Sequence, residues 1–388
     1  MSKSVLIYAK TSQLEPVGGP FGYLNNLKTQ LDERGISYVH FIDDGMPDRN
    51  KVKHKNTFFR KCGRALKRFK KYFGMLLISD RDPVIENCKD DYIHFHYTEQ
   101  IFRYRKSLEK YPGKVVLTTH SPTLASIQLY DSLEKGERAI FGWCYKLLKK
   151  MDIYAFNRAD YIVFPCEEAE EPYLHNWSGY ANFKKCNRKK YRYVPTGINA
   201  CKAKVSRSDI RKKYNIPEDA FVISYVGRHN EIKGYDRVKR IGEKLLKRYK
   251  NVFFLIAGIE DPIKGLDDKH WIEVGWTNDP HSYIAASDVF LLPNRETYFD
   301  LVMLEVLSLS KCVVASNTGG NKYFKKFEES GIFLFDKDEE AIRYIENLQK
   351  YELSDRDAIG ERNKIIFDNN FNCNVFCDNY LKMLDSLD

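Results

Sequence analysis

Long apolar runs are absent from this 388-residue chain, and no window approaches the roughly 18 uninterrupted apolar residues that a membrane-spanning helix requires. The start, MSKSVLIYAK, turns polar within a few residues, which indicates a first strand rather than a signal peptide. The nine cysteines are odd in number and form no CxxC pair, so neither a disulfide framework nor a zinc site is expected. These features predict a cytoplasmic protein with reduced thiols.

Patterns of metal ligands are scarce as well. The chain has no pair of histidines at helical spacing beside a carboxylate, so we predict that it uses no metal ion and no cofactor. It also has no internal repeat and no low-complexity tract. What it does have is a hydrophobic fraction of 43% with 14% aromatic residues, a composition typical of folded globular proteins. The length favours two domains over a single core.

Short apolar runs rich in valine, isoleucine and phenylalanine alternate with helix-period segments along the whole chain. Such runs, separated by helices, predict parallel strands that are buried on both faces. The first series comprises residues 4–9, 37–42, 91–97, 114–120, 161–166 and 191–195, and the second comprises 221–227, 252–258, 270–276, 288–293, 312–316 and 331–335. Two series predict an α/β protein with two doubly wound, Rossmann-like domains.

The boundary between the two series is expected where the polar stretch ACKAKVSRSD follows PTGIN. The predicted domains are therefore 1–199 and 200–370. A last helix over 374–387 lies in the remaining segment, 371–388, and we expect it to return to the N-terminal domain. Within the domains, helical patterns include 23–33, 134–150 and 209–214.

The formal charge of +10 is concentrated in one segment, because residues 49–71 contain eleven lysines and arginines and no acidic residue. Over residues 57–77, apolar and aromatic residues recur at helical spacing beside a cationic face. Such a helix suits the surface of an anionic membrane. An ordinary helix that buries its apolar face in the domain core gives the same pattern. No nucleic-acid-binding module accompanies the segment, so nucleic acid is not expected as a partner.

Three glycines, Gly18, Gly19 and Gly22, follow the first predicted strand in the segment PVGGPFGYL. Glycines just before a helix allow backbone N–H groups to approach an anionic ligand at the helix N-terminus. The spacing G-G-x-x-G is not that of the dinucleotide fingerprint, and the loop is too long for it. The segment is therefore either a ligand loop or a plain flexible turn.

The segment GRHNEIKGYD, residues 227–236, follows the first strand of the second series. It places Arg228 and Lys233 at the carboxyl end of a buried parallel strand, where open α/β sheets bind ligands. An arginine binds two phosphate oxygens at once and a lysine acts as a point charge, so the pair suits a diphosphate. A solvated pair of surface cations is the alternative.

A further segment, RETYFDLVMLEVLS, covers residues 295–308, and its apolar pattern predicts a buried helix that contains Glu305. An isolated buried carboxylate is costly, so Glu305 needs partners, either the hydroxyl groups of a ribose or a structural salt bridge. The backbone N–H groups of Phe299, Asp300 and Leu301 come at the start of this helix. They are therefore available to a sugar hydroxyl or a phosphate oxygen.

A histidine, His120, ends the predicted strand KVVLTTH in the first domain. In a doubly wound domain that position faces the ligand crevice, where the ring can bond a sugar hydroxyl or organise the reacting groups. A structural histidine is the alternative. On the preceding strand, His94 is predicted to be a core residue, whereas His96, beside Tyr97, is predicted to face the crevice.

Taken together, these segments resemble the GT-B-fold glycosyltransferases of family 4, also called glycosyl transferases group 1, which are retaining enzymes of bacterial polysaccharide and glycolipid synthesis. The resemblance extends over nearly the whole chain and is strongest over 221–323. It implies two Rossmann-like domains that face each other across a cleft. The N-terminal domain would bind the acceptor and the C-terminal domain the nucleotide-sugar donor.

The resemblance also implies roles for individual residues. Arg228 and Lys233 hold the donor diphosphate, Glu305 holds the ribose, and His120 lies near the donor sugar. Catalytic roles are thus predicted for His120, Arg228, Lys233 and Glu296; donor contacts for Gly18, Gly19, Arg228, Lys233, Trp276, Thr297, Phe299, Asp300, Leu301 and Glu305; and acceptor contacts for Gly22, His96 and Tyr97.

The sequence departs from the family pattern in the second segment. The family commonly has seven residues between two glutamates, whereas eight residues separate Glu296 from Glu305 here, so that Thr297 is in register. Either the loop carries an extra residue and Glu296 still reaches the sugar, or Thr297 has taken its place. Asp300 stands where the family usually has glycine.

These observations predict a metal-independent, retaining glycosyltransferase that moves a sugar from a nucleoside diphosphate, with UDP favoured, to a glycan or lipid-linked glycan of the cell surface. It would act in the cytoplasm, with a peripheral contact at the inner face of the membrane. Two alternatives remain at this stage. One is a GT-B-fold sugar-nucleotide epimerase, and the other is a nucleotide-sugar-binding protein without catalysis.

Overall fold

The computed structural model describes residues 3–14, 19–43, 58–121 and 123–388. The chain divides into two compact units. Unit 1 consists of Met1–Phe164, Pro172–Val194 and Asn379–Asp388, and unit 2 consists of Pro165–Glu171 and Pro195–Asp378. The main boundary between the units therefore falls between Val194 and Pro195. The boundary expected from the sequence, between residues 199 and 200, lies five residues later.

Unit 1 contains a six-stranded parallel sheet with the order β2-β1-β3-β4-β5-β6. Its strands are β1 (Val5–Lys10), β2 (Val39–Ile42), β3 (Tyr92–Phe95), β4 (Lys114–Thr118), β5 (Tyr161–Phe164) and β6 (Tyr191–Tyr193). The chain passes from β1 to β2 on one side and then to β3 on the other side of β1. The strand order thus reverses between β1 and β3, which is the point at which open α/β sheets form their ligand crevice.

Ten helices connect or flank these strands in the described part of unit 1 and at its border. They are α1 (Pro20–Glu33), α2 (Phe58–Leu77), α3 (Pro83–Glu86), α4 (Thr98–Arg103), α5 (Arg105–Leu108), α6 (Ala125–Asp131), α7 (Lys135–Leu147), α8 (Lys149–Arg158), α9 (Glu171–Asn176) and α10 (Tyr180–Cys186). The single helix expected over 134–150 is wrong: two helices, α7 and α8, meet at Leu148 and extend to Arg158. Because the apolar pattern continues across this junction, the sequence gives no sign that one helix ends and another begins there.

Unit 2 repeats the plan with a six-stranded parallel sheet of order β12-β11-β10-β7-β8-β9. The strands are β7 (Phe221–Val226), β8 (Val252–Ala257), β9 (Trp271–Gly275), β10 (Val289–Leu292), β11 (Cys312–Ser316) and β12 (Ile332–Phe335). Here the order reverses between β7 and β10. The prediction of two doubly wound α/β domains is confirmed.

The helices of unit 2 cover both faces of its sheet, because the strands carry side chains that are buried on either side. They are α11 (Arg207–Lys213), α12 (Tyr235–Arg248), α13 (Pro280–Ala286), α14 (Leu301–Ser308), α15 (Asp338–Lys350) and α16 (Leu353–Asn370), followed by α17 (Cys373–Asp385). Within the described residues, no helix is long and apolar enough to cross a membrane.

The end of the chain is fixed to the sheet of unit 1. The hydroxyl of Tyr380, on α17, lies 2.9 Å from Nδ1 of His94, and the carbonyl oxygen of Asp388 accepts hydrogen bonds from Tyr92 and Lys114 at 2.6 and 2.7 Å. His94 is fully buried, so its prediction as a core residue is confirmed. The last ten residues thereby belong to the N-terminal unit.

A buried carboxylate, Asp288, organises one side of unit 2. It accepts hydrogen bonds from Arg211 at 2.9 Å, from Arg207 at 3.0 Å and from Arg356 at 3.2 Å. Burying a charge is tolerated only when partners replace its hydration. These arginines are therefore structural, which distinguishes them from the exposed cations of the candidate site.

Candidate active site

The loop after β7 carries the first predicted pair of cations. Arg228 is exposed at the carboxyl end of the strand, and its guanidinium makes no ion pair with any residue that the structure describes. Gly234 ends the loop with φ +67, and a Cβ at this position would lie 1.9 Å from the carbonyl oxygen of Pro293. Only glycine permits this close approach, which brings the loop against the segment that follows β10.

Lys233 lies in the loop that makes this close approach, and its side chain forms an ion pair. Its Nζ is 2.8 Å from Oδ1 of Asp300, and Asn294 donates a hydrogen bond to the other carboxylate oxygen. The alternative of two solvated surface cations is therefore wrong for Lys233. Since β7 and β10 are neighbours at the strand reversal, both segments lie at the edge of the sheet where ligands of α/β proteins bind.

The start of α14 offers unsatisfied hydrogen-bond donors. Among the described residues, no acceptor is found for the backbone N–H groups of Phe299, Asp300 and Leu301. The ring of Phe299 is buried against Phe324 and Phe371, so only its backbone faces a ligand position. Helix N-termini bind anions because their N–H groups and the helix dipole both favour negative charge.

Glu305, one turn further along α14, is 24% exposed rather than buried. Its Oε2 lies 3.6 Å from Nε2 of His281, at the start of α13. Hydrogen bonding to the Cys201 side chain and to Glu305 raises the pKa of His281 to about 10, so that an imidazolium faces the carboxylate at neutral pH. In the described part of the chain, Oε1 of Glu305 has no hydrogen-bond partner. This oxygen is therefore available to accept hydrogen bonds from a diol.

The segment with the unusual glutamate spacing is packed backbone to backbone on the loop after β11. Cβ atoms at Gly319 and Gly320 would lie 2.1 Å from the carbonyl oxygens of Thr297 and Tyr298. The Thr297 side chain is buried, whereas Glu296 is only partly buried. Of the two candidates for the glutamate position, Glu296 is therefore the one whose side chain has access to solvent.

Trp276 directly follows β9, and 73% of its surface is exposed. A large exposed aromatic ring at the carboxyl end of a sheet strand is suited to stacking on a planar ligand. Its neighbour Thr277 is occupied locally, since its hydroxyl accepts a hydrogen bond from the backbone of Asp279 at 3.0 Å.

Unit 1 places three histidines side by side: one lies within β3, and the other two follow β3 and β4. His96 follows β3 and His120 follows β4, and Nδ1 of His96 lies 2.7 Å from Nε2 of His120. The rings of His94, His96 and His120 stack in succession with centroids 4.4 and 5.0 Å apart. Burial lowers the pKa of His120 to about 3, and the pKa of His96 is also well below its usual value, so both rings are neutral at pH 7.

His120 has a positive φ of 51, which is uncommon for a residue with a Cβ and is typical of sites that position a functional group. The ring of Tyr23 contacts it edge-on with the centroids 4.6 Å apart. The prediction that His96 faces the crevice needs correction, because this residue is fully buried, and its Nε2 has no hydrogen-bond partner among the described residues. Its place on the strand suggested the crevice, but its ring turns toward His120.

The remaining residues predicted in unit 1 lie around the same strand reversal. Gly19 precedes α1 with φ +82 and is exposed, which suits a loop that glycine alone can form. Gly22 is buried in the first turn of α1, and Tyr97 is partly buried before α4. Gly18 lies outside the described residues.

Sequence reasoning missed several partners of these residues. Asn294 donates a hydrogen bond to Asp300, and His281 lies beside Glu305. The spacing in the sequence does not indicate either pair. The signal for Asn294 is its position two residues after a buried strand, where polar residues face the ligand edge. The signal for His281 is a histidine in the first turn of a helix that begins with Asp-Pro.

Both units thus have the doubly wound α/β architecture of the GT-B fold. A sucrose-phosphate synthase from Thermosynechococcus elongatus is similar over 99% of this chain and 98% of its own, with a TM-score of 0.65 and 17% identity. The chain is a glycosyltransferase of the GT-B fold. Residues 206–365 match the model of the family Glycosyl transferases group 1, and this part of the chain belongs to that family.

Two relatives with named roles have somewhat higher identity to this chain but match a smaller share of it. The O-antigen biosynthesis glycosyltransferase WclY of Escherichia coli is 23% identical over 77% of this chain and 76% of its own length. The UDP-Gal:alpha-D-GlcNAc-diphosphoundecaprenol alpha-1,3-galactosyltransferase of Escherichia coli is 27% identical over 36% of this chain and 40% of its own. The second similarity therefore spans less than half of that relative.

Proposed function

We propose that the protein transfers a sugar from a nucleoside-diphosphate sugar to a glycan or lipid-linked glycan in the synthesis of a surface polysaccharide, with retention of anomeric configuration. The observation that carries the proposal is the cluster of Arg228, Lys233, the N-terminus of α14 and Glu305 around the reversal between β7 and β10. The names of the two relatives support the polysaccharide context and favour UDP.

In this proposal the diphosphate lies against the two cations and the N–H groups of Phe299 to Leu301. Negative charge develops on the leaving diphosphate as the bond to the sugar breaks, and fixed positive groups stabilise that charge. The cations supply this stabilisation themselves, so no metal ion or other cofactor takes part in the transfer. Glu305 holds the ribose through its open oxygen, and Trp276 stacks on the base.

His120 is assigned to the sugar end of the reaction, where its neutral ring binds a hydroxyl of the donor sugar. Its Nε2 is engaged with His96, which fixes the ring and leaves Nδ1 for the substrate. Glu296 is placed near the sugar because its side chain reaches solvent. Gly19 is assigned to the phosphates, and Tyr97 and Gly22 are assigned to the acceptor.

The test begins with a thermal-shift screen of UDP, GDP and ADP sugars, because a ligand that binds only the folded state raises its melting temperature. The donor identified is then incubated with lipid-linked acceptors, and the anomeric configuration of the product is read by NMR. Transfer with retention supports the proposal. A new sugar nucleotide formed from the donor alone indicates an epimerase, and donor binding without turnover across an acceptor panel indicates a binding protein.

Asp300 gives a prediction about donor affinity. Its carboxylate is paired with Lys233 and lies at the helix terminus where a diphosphate would bind, so it competes with the ligand and repels it. Replacing it by asparagine keeps the cap preference of the position and removes the charge. We expect the Kd for UDP in Asp300→Asn to be about 2–5-fold lower, the effect of one partly exposed ion pair. Isothermal titration measures it, and weaker binding would show that Asp300 helps to hold the ligand.

The basic helix α2 gives a prediction about the membrane. Its apolar face packs on α7 in the core of unit 1, with Tyr72 and Met75 buried, so the ordinary-helix interpretation holds. Arg68 is bound to Glu137 and Lys71 lies 2.8 Å from Glu99. Lys67 and Lys70 stay exposed on α2, which also exposes Leu66, and the adjacent helix α7 exposes Ile140, Trp143 and Leu147. We propose that this surface binds anionic lipid.

Replacing Lys67 and Lys70 by glutamine is expected to weaken binding to vesicles of anionic phospholipid by about 10–30-fold, since each surface cation contributes about 1 kcal/mol. Co-sedimentation measures it. The matched control is Lys212→Gln with Lys247→Gln, which removes the same charge from exposed positions of unit 2 and should leave binding nearly unchanged. Equal vesicle binding by the unchanged protein, the Lys67/Lys70 variant and the control would contradict the proposed membrane contact.

A further inference from the structure

His229, the residue after Arg228, has an unusual environment. Its side chain is fully buried, and neither ring nitrogen has a hydrogen-bond partner among the residues that the structure describes. The ring stacks on Tyr235 with the centroids 3.8 Å apart and the planes at 7°, so its orientation is fixed. Buried polar groups almost always have partners, and an orphaned imidazole calls for a water or an ion.

Glu273, on β9, directs one oxygen at this ring. Its Oε1 accepts hydrogen bonds from the indole of Trp271 at 2.7 Å and from the hydroxyl of Tyr235. Its Oε2 is buried, has no hydrogen-bond partner in the described chain, and lies 3.9 Å from Nε2 of His229. That separation is too long for a hydrogen bond. Two ligand atoms that each lie about 2.0–2.1 Å from one tetrahedral zinc ion are about 3.3 Å apart, so a small movement of either side chain would bring both into bonding distance.

A third potential ligand comes from the loop after β8. Donor atoms of His229, Glu260 and Glu273 all lie within 4.8 Å of one another. Glu260 is exposed and is held through Oε1 by the backbone N–H of Gly265 at 2.8 Å, so its side chain can turn to close the remaining distance. Two loops and strand β9 thus bring these three side chains together at the carboxyl edge of the sheet.

The charges of this cluster favour a cation. Two carboxylates approach each other, and neither forms an ion pair with a lysine or arginine of the described residues. Burial raises the pKa of Glu273, and the nearby Glu260 raises it further. Burial also lowers the pKa of His229 to about 4, which leaves the imidazole neutral at pH 7, the form that binds metals.

We propose that His229, Glu260 and Glu273 bind one divalent transition-metal ion, for which zinc is the best fit. Imidazole nitrogen and carboxylate oxygen are both zinc ligands, whereas magnesium prefers oxygen ligands alone. The hydrogen bonds of Trp271 and Tyr235 to Oε1 orient Glu273 as outer partners of a metal ligand do. The ion ties the loops that follow β7 and β8 to strand β9, and it stabilises the backbone that carries Arg228. It takes no part in sugar transfer, and the site does not depend on the proposed function.

The experiment starts from full-length protein freed of metal by a chelator. Zinc is titrated by calorimetry, bound metal is counted by mass spectrometry, and the melting temperature is followed. We expect one ion per chain and a rise in melting temperature that a chelator reverses. Glu260→Ala changes an exposed residue, and Glu273→Gln keeps an acceptor for Trp271, so both should fold. Each is expected to raise the Kd for zinc at least about 10-fold.

Glu231→Ala is the matched control, because it removes an exposed carboxylate from the same loop and should leave the affinity unchanged. The nine cysteine thiols are a competing source of zinc ligands, and cobalt distinguishes them. Cobalt at the proposed site shows d–d bands without thiolate charge-transfer bands. Thiolate bands, an affinity that is the same in Glu260→Ala and Glu273→Gln as in the unchanged protein, or no binding at all would overturn the proposal and leave a bridging water in this place.

Discussion

Replacing Arg228 by alanine is expected to lower kcat by about 10²–10³-fold, with a smaller change in melting temperature than most substitutions cause. The loss in rate follows because Arg228 would face the leaving diphosphate, and removing one preorganised charge-stabilising group costs this much. The fold should survive because the side chain is exposed and makes no ion pair within the described ranges. Initial rates at saturating donor and acceptor, with thermal melts beside them, measure both.

The controls for this prediction come from the same unit. Arg343→Ala removes an exposed arginine whose contact with Glu340 is 3.8 Å long, and it should retain full activity. Arg228→Lys keeps the charge but not the two-pronged geometry, so an intermediate rate is expected. If Arg228→Ala and Arg343→Ala have the same kcat, the loop after β7 does not hold the leaving group.

Replacing His120 by alanine is expected to lower kcat about 10²-fold with little change in KM for the nucleotide. The reason is that His120 is assigned to the sugar end, whereas the nucleotide contacts are in unit 2. His96→Phe keeps a ring in the stack but removes the hydrogen bond to His120, and we expect a smaller loss of kcat. Steady-state kinetics with both substrates varied separates these effects.

The pH dependence adds a test of His120. Burial lowers its pKa to about 3, so the ring does not titrate near neutrality and should cause no inflection in kcat between pH 6.5 and 8. Below pH 6.5 these histidines are protonated in the unfolded chain but stay neutral in the folded protein. The free energy of unfolding therefore decreases as the pH falls from 6.5 toward 3. His175→Ala, at an exposed position, is the matched control. Full activity in His120→Ala would show that the histidine stack is structural.

The sequence is sufficient for those parts of the site that depend on local patterns. The apolar, β-branched runs identify the strands and hence the carboxyl edges of both sheets. Lys233 and Gly234 lie in the loop after β7, as the segment GRHNEIKGYD predicts. The glycine is required because the loop touches the backbone at Pro293. This agreement arises because a parallel strand and its following turn are coded by adjacent residues.

Features that depend on the packing of distant segments could not be predicted in the same way. Asp300 pairs with Lys233 over 67 residues, and Glu305 meets His281 through the arrangement of two helices. His96 and His120 are 24 residues apart and meet because β3 and β4 are neighbours. The cluster of His229 and Glu273 likewise exists only when β7, β8 and β9 lie in order.

The central claim is that Arg228, Lys233 and Glu305 together hold the nucleotide diphosphate of an activated sugar. A crystal structure with bound UDP tests it most directly. The account predicts phosphate oxygens within hydrogen-bond distance of Arg228 and Lys233, with the ribose hydroxyls on Glu305. UDP bound elsewhere, or with its phosphates away from both cations, would contradict it.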